Sequence, residues 1–261
     1  MRRFEEAPPF LRHLWSSDGD LFACAWRGER LVGFAAAVVR GKHWYLAWLF
    51  VHPAYQGLGI GKELLQRVWW ERKGVVHSLC TFGYNMQAVG LYSRFGMAPT
   101  AMFTVMEAPV EKIVRSEPTG LDEEVGLGRR DMAWLSGLER EIRGFSHPEE
   151  WAFWDADDDF HVLLFRERGR PVGYGMISSF GDVSPIGAVQ ERFLVPVAAE
   201  TIRAACEMDL EKLRVICPHP SRSIYPYLLS LGFRNQEMPI LMTDGLRPDF
   251  TRYVPASLAV F

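Results

Sequence analysis

The sequence predicts an α/β fold built as two related halves, and three observations carry that prediction. Apolar runs with strand chemistry alternate with amphipathic stretches in the order strand, strand, strand, helix, strand, helix, strand. The same order runs a second time, less clearly, toward the C-terminus. Between the two, Ala108 to Leu127 replaces apolar runs with Pro109, Pro118, Gly120, Gly126 and charges, which places a boundary there and divides the chain into 1–109 and 110–261. A length of 261 residues suits two modest domains, and 48% hydrophobic with 23% charged residues is an ordinary globular balance.

In the first half, LFACAWRG and LVGFAAAVVR read as strands joined by a turn at Gly28-Glu29-Arg30. HWYLAWLFV is a third, with so little polar alternation that both of its faces are expected to be buried. Ile60, Leu64, Leu65 and Val68 form the stripe of a helix expected to run from Gly59 to about Lys73. VVHSLCTF is strand-like, Met86 to Phe95 is helical and closed by Gly96, and MFTVMEA ends the half as a strand. The second half offers a helix Arg130–Ile142, the strands DFHVLLFRE and VGYGMISS around a turn at Gly169-Arg170-Pro171, and a short strand Ile186–Gln190. A helix Val197–Met208, the strand KLRVIC, a helix Ser223–Leu231 closed by Gly232, and MPILMT follow.

The longest apolar stretches, Leu31–Val39 and Trp44–Val51, fall far short of the roughly 18 to 20 residues of a membrane-spanning helix, so no membrane role is expected. MRRFEEAPPF lacks the apolar region of a secretory leader, and Cys24, Cys80, Cys206 and Cys217 lie far apart with no metal-clamping spacing. These features read as buried reduced thiols in a cytoplasmic protein. A net charge of −3 supplies no general attraction for nucleic acid. Residues 1–109 nevertheless hold 12 Lys/Arg against 8 Asp/Glu, a balance of +4, while 110–261 hold 17 against 24, a balance of −7. Only the first half invites an anion.

The most informative segment is FVHPAYQGLGIGKELL, in which a strand passes through a short turn into Gln56-Gly57-Leu58-Gly59-Ile60-Gly61 and then directly into a helix. Glycines let a backbone approach a ligand closely, and the first amides of a helix lack carbonyl partners and carry the positive end of its dipole. Such a segment makes a phosphate cradle, and Lys62 adds charge beside it. A Walker loop would need Ser or Thr after Lys62, where Glu63 stands. A dinucleotide loop would need an acid about 20 residues on, where Cys80, Thr81 and Phe82 stand. A glycine turn without a ligand is the plain alternative.

This segment resembles the acetyl-CoA loop of the GCN5-related N-acetyltransferase (GNAT) superfamily: Val51-His52-Pro53 followed by Gln56, Gly59 and Gly61. A second block of that family is matched at Asn85, Ala88, Leu91, Tyr92 and Gly96. The resemblance covers residues 21–107 well and implies tandem GNAT-like units, each a mostly antiparallel mixed sheet flanked by helices. It implies an N-acetyltransferase that uses acetyl-CoA as cosubstrate and no metal, with a small-molecule or peptide amine as acceptor. Main-chain groups at Leu49, Phe50 and Val51 would hold the pantetheine arm. The amides of Gln56, Gly57, Leu58, Gly59, Ile60, Gly61 and Lys62 would hold the pyrophosphate, Asn85 and Ala88 would line the cofactor, and Tyr92 would protonate the departing thiolate. A homodimer is compatible with the family.

The sequence departs from the family in three places. No acid lies in Trp44–Val51 to act as base, and His52 reads as a surface residue. Only about 20 residues precede the first hairpin, so the first strand and helix that usually shape the acceptor pocket are expected to be missing, with the second half or a partner chain supplying that wall. In the second half Ser221, Ile224 and Leu228 stand where Asn85, Ala88 and Tyr92 do, and Gln190–Pro196 contains no glycine, so that half resembles a degenerate copy. A CoA-binding regulatory module without turnover and a cofactor-free scaffold are the rival readings. Asp155, Asp157, Asp158 and Asp159 read as a solvated turn, with attraction of a cationic acceptor as the sharper alternative.

Overall fold

The computed structural model describes residues 8–261; the opening stretch read above for a leader lies, up to residue 7, outside the described residues. Helix α1 (Pro9–Asp18) leads into an antiparallel meander of β1 (Phe22–Arg27), β2 (Arg30–Arg40) and β3 (His43–Val51). Helix α2 (Ile60–Val68) crosses to β4 (Val76–Phe82), which pairs parallel to β3, and α3 (Met86–Ser93) leads to β5 (Ala98–Pro109). After the short β6 (Asp122–Val125) come α4 (Arg129–Arg143), α5 (Pro148–Ala156), β7 (Phe160–Glu167), β8 (Arg170–Ser178), β9 (Val183–Ala188) and α6 (Glu191–Ala205). The chain closes with β10 (Lys212–Pro218), α7 (Ile224–Ser230), β11 (Arg234–Glu237), β12 (Pro239–Thr243) and β13 (Tyr253–Val254). The element order β-β-β-α-β-α-β thus occurs twice, in a mixed α/β architecture.

The strands of the two halves interleave. An eight-stranded sheet runs β1-β2-β3-β4-β12-β5-β10 with β11 also on β5, and a five-stranded sheet runs β13-β9-β8-β7-β6. β12, from the end of the chain, lies between β4 and the first part of β5, while the later part of β5 pairs with β10 and β11. β5 serves both because it is 12 residues long, where the sequence pattern predicts only its apolar part. Helices α2 and α3 cover one face of the first-half strands, where Trp44, Leu46, Leu64, Leu65 and Leu79 form a buried cluster. The opposite face, through Val38 and Tyr45, joins a core with Leu14, Trp151, Phe250 and Phe261. As expected, β3 is buried on both sides over His43–Ala47.

Several expectations are corrected. A helix does precede the first hairpin: α1 begins with Pro9 at its first position, a placement proline favours, and buries Leu14. α2 ends at Val68 rather than Lys73, because Trp44 donates its indole N–H to the Val68 carbonyl at 2.8 Å and Trp69 turns away to stack on His77 at 3.9 Å. α5 is unforeseen, although Pro148 followed by Glu149 and Glu150 is a helix-start signature. α6 starts at Glu191 rather than Val197 and carries Pro196 inside it; burial of Phe193 and Leu194 outweighs the backbone bond that proline removes. Cys24 is exposed, whereas Cys206 and Cys217 are buried, and all four cysteines are free.

An internal polar clamp joins the halves. Arg40, the last residue of β2, donates through Nε to Glu150 of α5 at 2.8 Å and through Nη1 to Asp18 at 2.8 Å. Both Arg40 and Glu150 are buried. Burial raises the Glu150 pKa, but the neighbouring His13 and the hydrogen bonds from Arg40 outweigh it and hold the carboxyl at about 2.

Candidate active site

The site is set by a parting of strands. β3 and β4 pair in parallel from His43–Val76 to Leu46–Leu79, and there the pairing stops. At that point β3 carries a bulge: Trp48 lies opposite Ala36 and Leu46 opposite Ala37, which leaves Ala47 as the extra residue. Beyond it one edge of β3 faces a gap. His52 donates its amide to Val32 at 2.8 Å, and because backbone groups alternate along a strand, those of Phe50 face β2 while those of Leu49 and Val51 face the gap. Of the three expected positions, Leu49 therefore turns both main-chain groups and Val51 its N–H to the gap, the Val51 carbonyl being taken by Gln56, and Phe50 instead projects an exposed side chain.

Past the strand end, Pro53–Tyr55 forms one 3-10 turn that delivers the glycine loop to α2. Gln56 closes that turn with its amide on the Pro53 carbonyl at 3.2 Å and donates its side-chain Nε2 to Val51 at 3.1 Å, so it braces the strand end. The next six amides, Gly57, Leu58, Gly59, Ile60, Gly61 and Lys62, have no acceptor among the described residues; the first helical bond is Glu63 to Gly59. Gly59 caps α2 at φ +84° and Gly57 sits at φ +77°, a backbone region that side chains resist. A Cβ at either would meet no protein atom within 4 Å, so both border open space. The row of free donors at a helix N-terminus fits a pyrophosphate.

Helix α3 supplies the second wall. Asn85 caps it by accepting the Ala88 amide on Oδ1 at 3.2 Å, which explains the Asn-x-x-Ala spacing by local structure. A Cβ on Gly61 would lie 3.6 Å from Val51 and 3.8 Å from Leu91, so the loop, the end of β3 and α3 converge there. Tyr92, next in sequence, is 6% exposed and packs in the cluster under α2 and α3. Its hydroxyl bonds to no described residue, yet it is not one of the sealed, unpartnered polar atoms, so solvent reaches it. Burial pushes its pKa up to about 12, and the phenol is protonated at neutral pH.

The remaining expectations resolve as local structure. His52 is exposed, accepts the Ala54 amide and contacts Arg30. Three carboxylates of the acidic run hold turns: Asp155 accepts from Leu127, Asp157 from Asp159 and Asp159 from Ser179. Two cavities, of about 420 and 380 Å³, lie beside α2 and beyond β12. Among the described residues there is no cluster of three or more side chains able to hold a metal, and no helix is long and apolar enough to cross a membrane.

The second half repeats the plan without the site. Its counterpart of β3 is β9, whose start touches β10 through an Asp182–Arg214 bridge. The edge that would then open is taken by β13: Tyr253 and Val254 pair with Gly187 and Ile186. α6 follows almost at once, with no glycine loop, and Leu228 is fully buried.

A parted parallel strand pair with a glycine loop at the following helix defines a GNAT-like fold, and comparison with known proteins agrees on the fold. Residues 2–97 match the model of the Acetyltransferase (GNAT) family. A candidate acetyltransferase from Pyrococcus horikoshii shares the fold with a TM-score of 0.78 at 16% identity, over 99% of this chain and 88% of that one. A GCN5-related N-acetyltransferase from Sphaerobacter thermophilus aligns at TM-score 0.59 and 16% identity over 90% of this chain and 81% of its own. A tandem GNAT protein from the clavulanic acid biosynthesis pathway aligns at 0.56 and 13% over 91% and 84%. At such identities the likeness is one of fold. No curated protein sequence matches the chain.

Proposed function

We propose that the chain transfers an acetyl group from acetyl-CoA to a primary amine. The supporting observation is the convergence of six unbonded amides, Gly57 to Lys62, with the open edge of β3 and the solvent-reached phenol of Tyr92. Acetyl-CoA supplies an activated thioester; the amine nitrogen bonds to its carbonyl carbon, the C–S bond breaks, and the nitrogen gives a proton to water. The loop amides and Lys62 hold the diphosphate, and the gap-facing groups of Leu49 and Val51 hold the arm as an added strand. Either residue's N–H can also stabilise charge on the carbonyl oxygen.

Tyr92 gives its proton to the thiolate sulfur. Against a free thiol of pKa about 8.5 a phenol at about 12 would be a poor donor. A thiolate shielded from water is more basic than a free one for the same reason that the phenol is raised, and that narrows the difference. Residues 44–51 contain no acid, which favours a second reading, a CoA-binding module without turnover. Both readings require a thermal upshift with acetyl-CoA, and absence of any shift sinks both. Thiol release with a pool of amines, lost in Tyr92→Phe, separates the enzyme from the module.

A further inference from the structure

The gap has a second side. Because side chains alternate along strands, Leu49 and Val51 point toward α2 and α3, while Trp48 and Phe50 point to the opposite face. Phe34 lies opposite Phe50 with its ring 5.4 Å away, and on the far bank of the gap Phe82 follows Cys80 on that same face and stacks on Tyr84 at 5.3 Å. Phe50 is 56% exposed and Tyr84 75%. At the other end of these strands the same face is covered by α1, α5 and the C-terminal segment; toward the gap that cover thins, with Phe34, Trp48 and Phe82 half-buried and Phe50 and Tyr84 exposed. Contiguous exposed apolar surface beside a cleft marks a binding site.

We infer that this face receives the acceptor, and that the acceptor is an amine carried on an apolar, aromatic or aliphatic body. The inference rests on the acetyltransferase reading and adds the substrate class. None of the five residues Phe34, Trp48, Phe50, Phe82 and Tyr84 is charged, so the patch itself supplies no partner for a second positive charge. Aromatic banks stack on a ring or bury a chain, and the gap between them admits the amine nitrogen to the edge at Leu49 and Val51. Polycationic amines would lose solvation there without gaining a partner.

The test compares 2-phenylethylamine and n-hexylamine with spermidine and an aminoglycoside, measuring thiol release at saturating acetyl-CoA and thermal shift with CoA present. The expected result is at least a tenfold higher kcat/KM, or a shift at tenfold lower concentration, for the two apolar amines. Phe82→Ala and Phe34→Ala should each raise the KM for 2-phenylethylamine several-fold and leave the KM for acetyl-CoA unchanged. Preference for spermidine, no response to either apolar amine in turnover or shift, or an unchanged amine KM in both variants would overturn the inference. So would a dimer that Phe82→Glu dissociates, because a second copy would then be what covers the patch. Failure of acetyl-CoA to bind would instead count against the acetyltransferase reading itself.

Discussion

Glycine does opposite work in the two halves of this chain. At Gly57 and Gly59 an added Cβ would meet no protein atom within 4 Å, and the amides around them are unbonded. At Gly175 the same Cβ would lie 2.2 Å from Thr201 Oγ1, and at Gly187 2.3 Å from the ring of Tyr174. The first half keeps its backbone bare for something that arrives. The second lets α6 and neighbouring side chains press onto the sheet, and fills the open edge of its third strand with β13. One order of elements can therefore build either a slot or a packed core, and the difference lies in whether the parted edge stays free.

That comparison can be broken experimentally. The largest effect is expected at Tyr92: Tyr92→Phe should lower kcat by about 10² to 10⁴ with the fold intact, while Leu228→Met at the matching position leaves turnover alone. Equal losses in both variants would mean that the halves share the chemistry. Next, Glu150→Ala removes one of the two carboxylates that Arg40 donates to, leaving Asp18, and should cost about 1 to 3 kcal/mol in urea unfolding. Because the folded Glu150 carboxyl is depressed to about 2 from 4.5, its contribution is complete above 4.5 and disappears as pH falls toward 2, a loss that Glu150→Gln should flatten.

Smaller effects sharpen the contrast between the glycines. Gly59→Val forces a branched residue to φ +84°, at about 1 to 2 kcal/mol, and should weaken acetyl-CoA binding by roughly tenfold in calorimetry. Gly187→Ala should destabilise the fold by about 1 to 3 kcal/mol through overpacking and leave that affinity unchanged. Wild-type protein should bind one acetyl-CoA per chain; two would contradict the role given to β13. The smallest effect concerns pH: with Tyr92 raised to about 12 from 10, the acid stays protonated, so no alkaline loss of activity from this group is expected below pH 10.

Much of this was legible in the sequence because it is local. The spacing Gln56-x-x-Gly59-x-Gly61 is a strand-to-helix passage that six residues build by themselves, and Asn85 caps α3 through an Ala88 amide only three residues away. The turn glycines and apolar stripes likewise located most elements of the first half within a few residues. What stayed hidden depends on distant partners. The early end of α2 needs Trp44 from another strand, and α6 tolerates Pro196 only because the sheet buries Phe193 and Leu194.

The sequence by itself determined the order of elements, the phosphate-ready loop and the phenol, since backbone conformation and capping are properties of short segments. Tertiary structure alone decided that β12 returns to the first half, that β13 closes the second, and that Phe50 and Tyr84 stand exposed beside the gap. Strand pairing between residues more than 60 apart leaves no local pattern, because either edge of an apolar strand can accept any neighbour whose register buries its side chains.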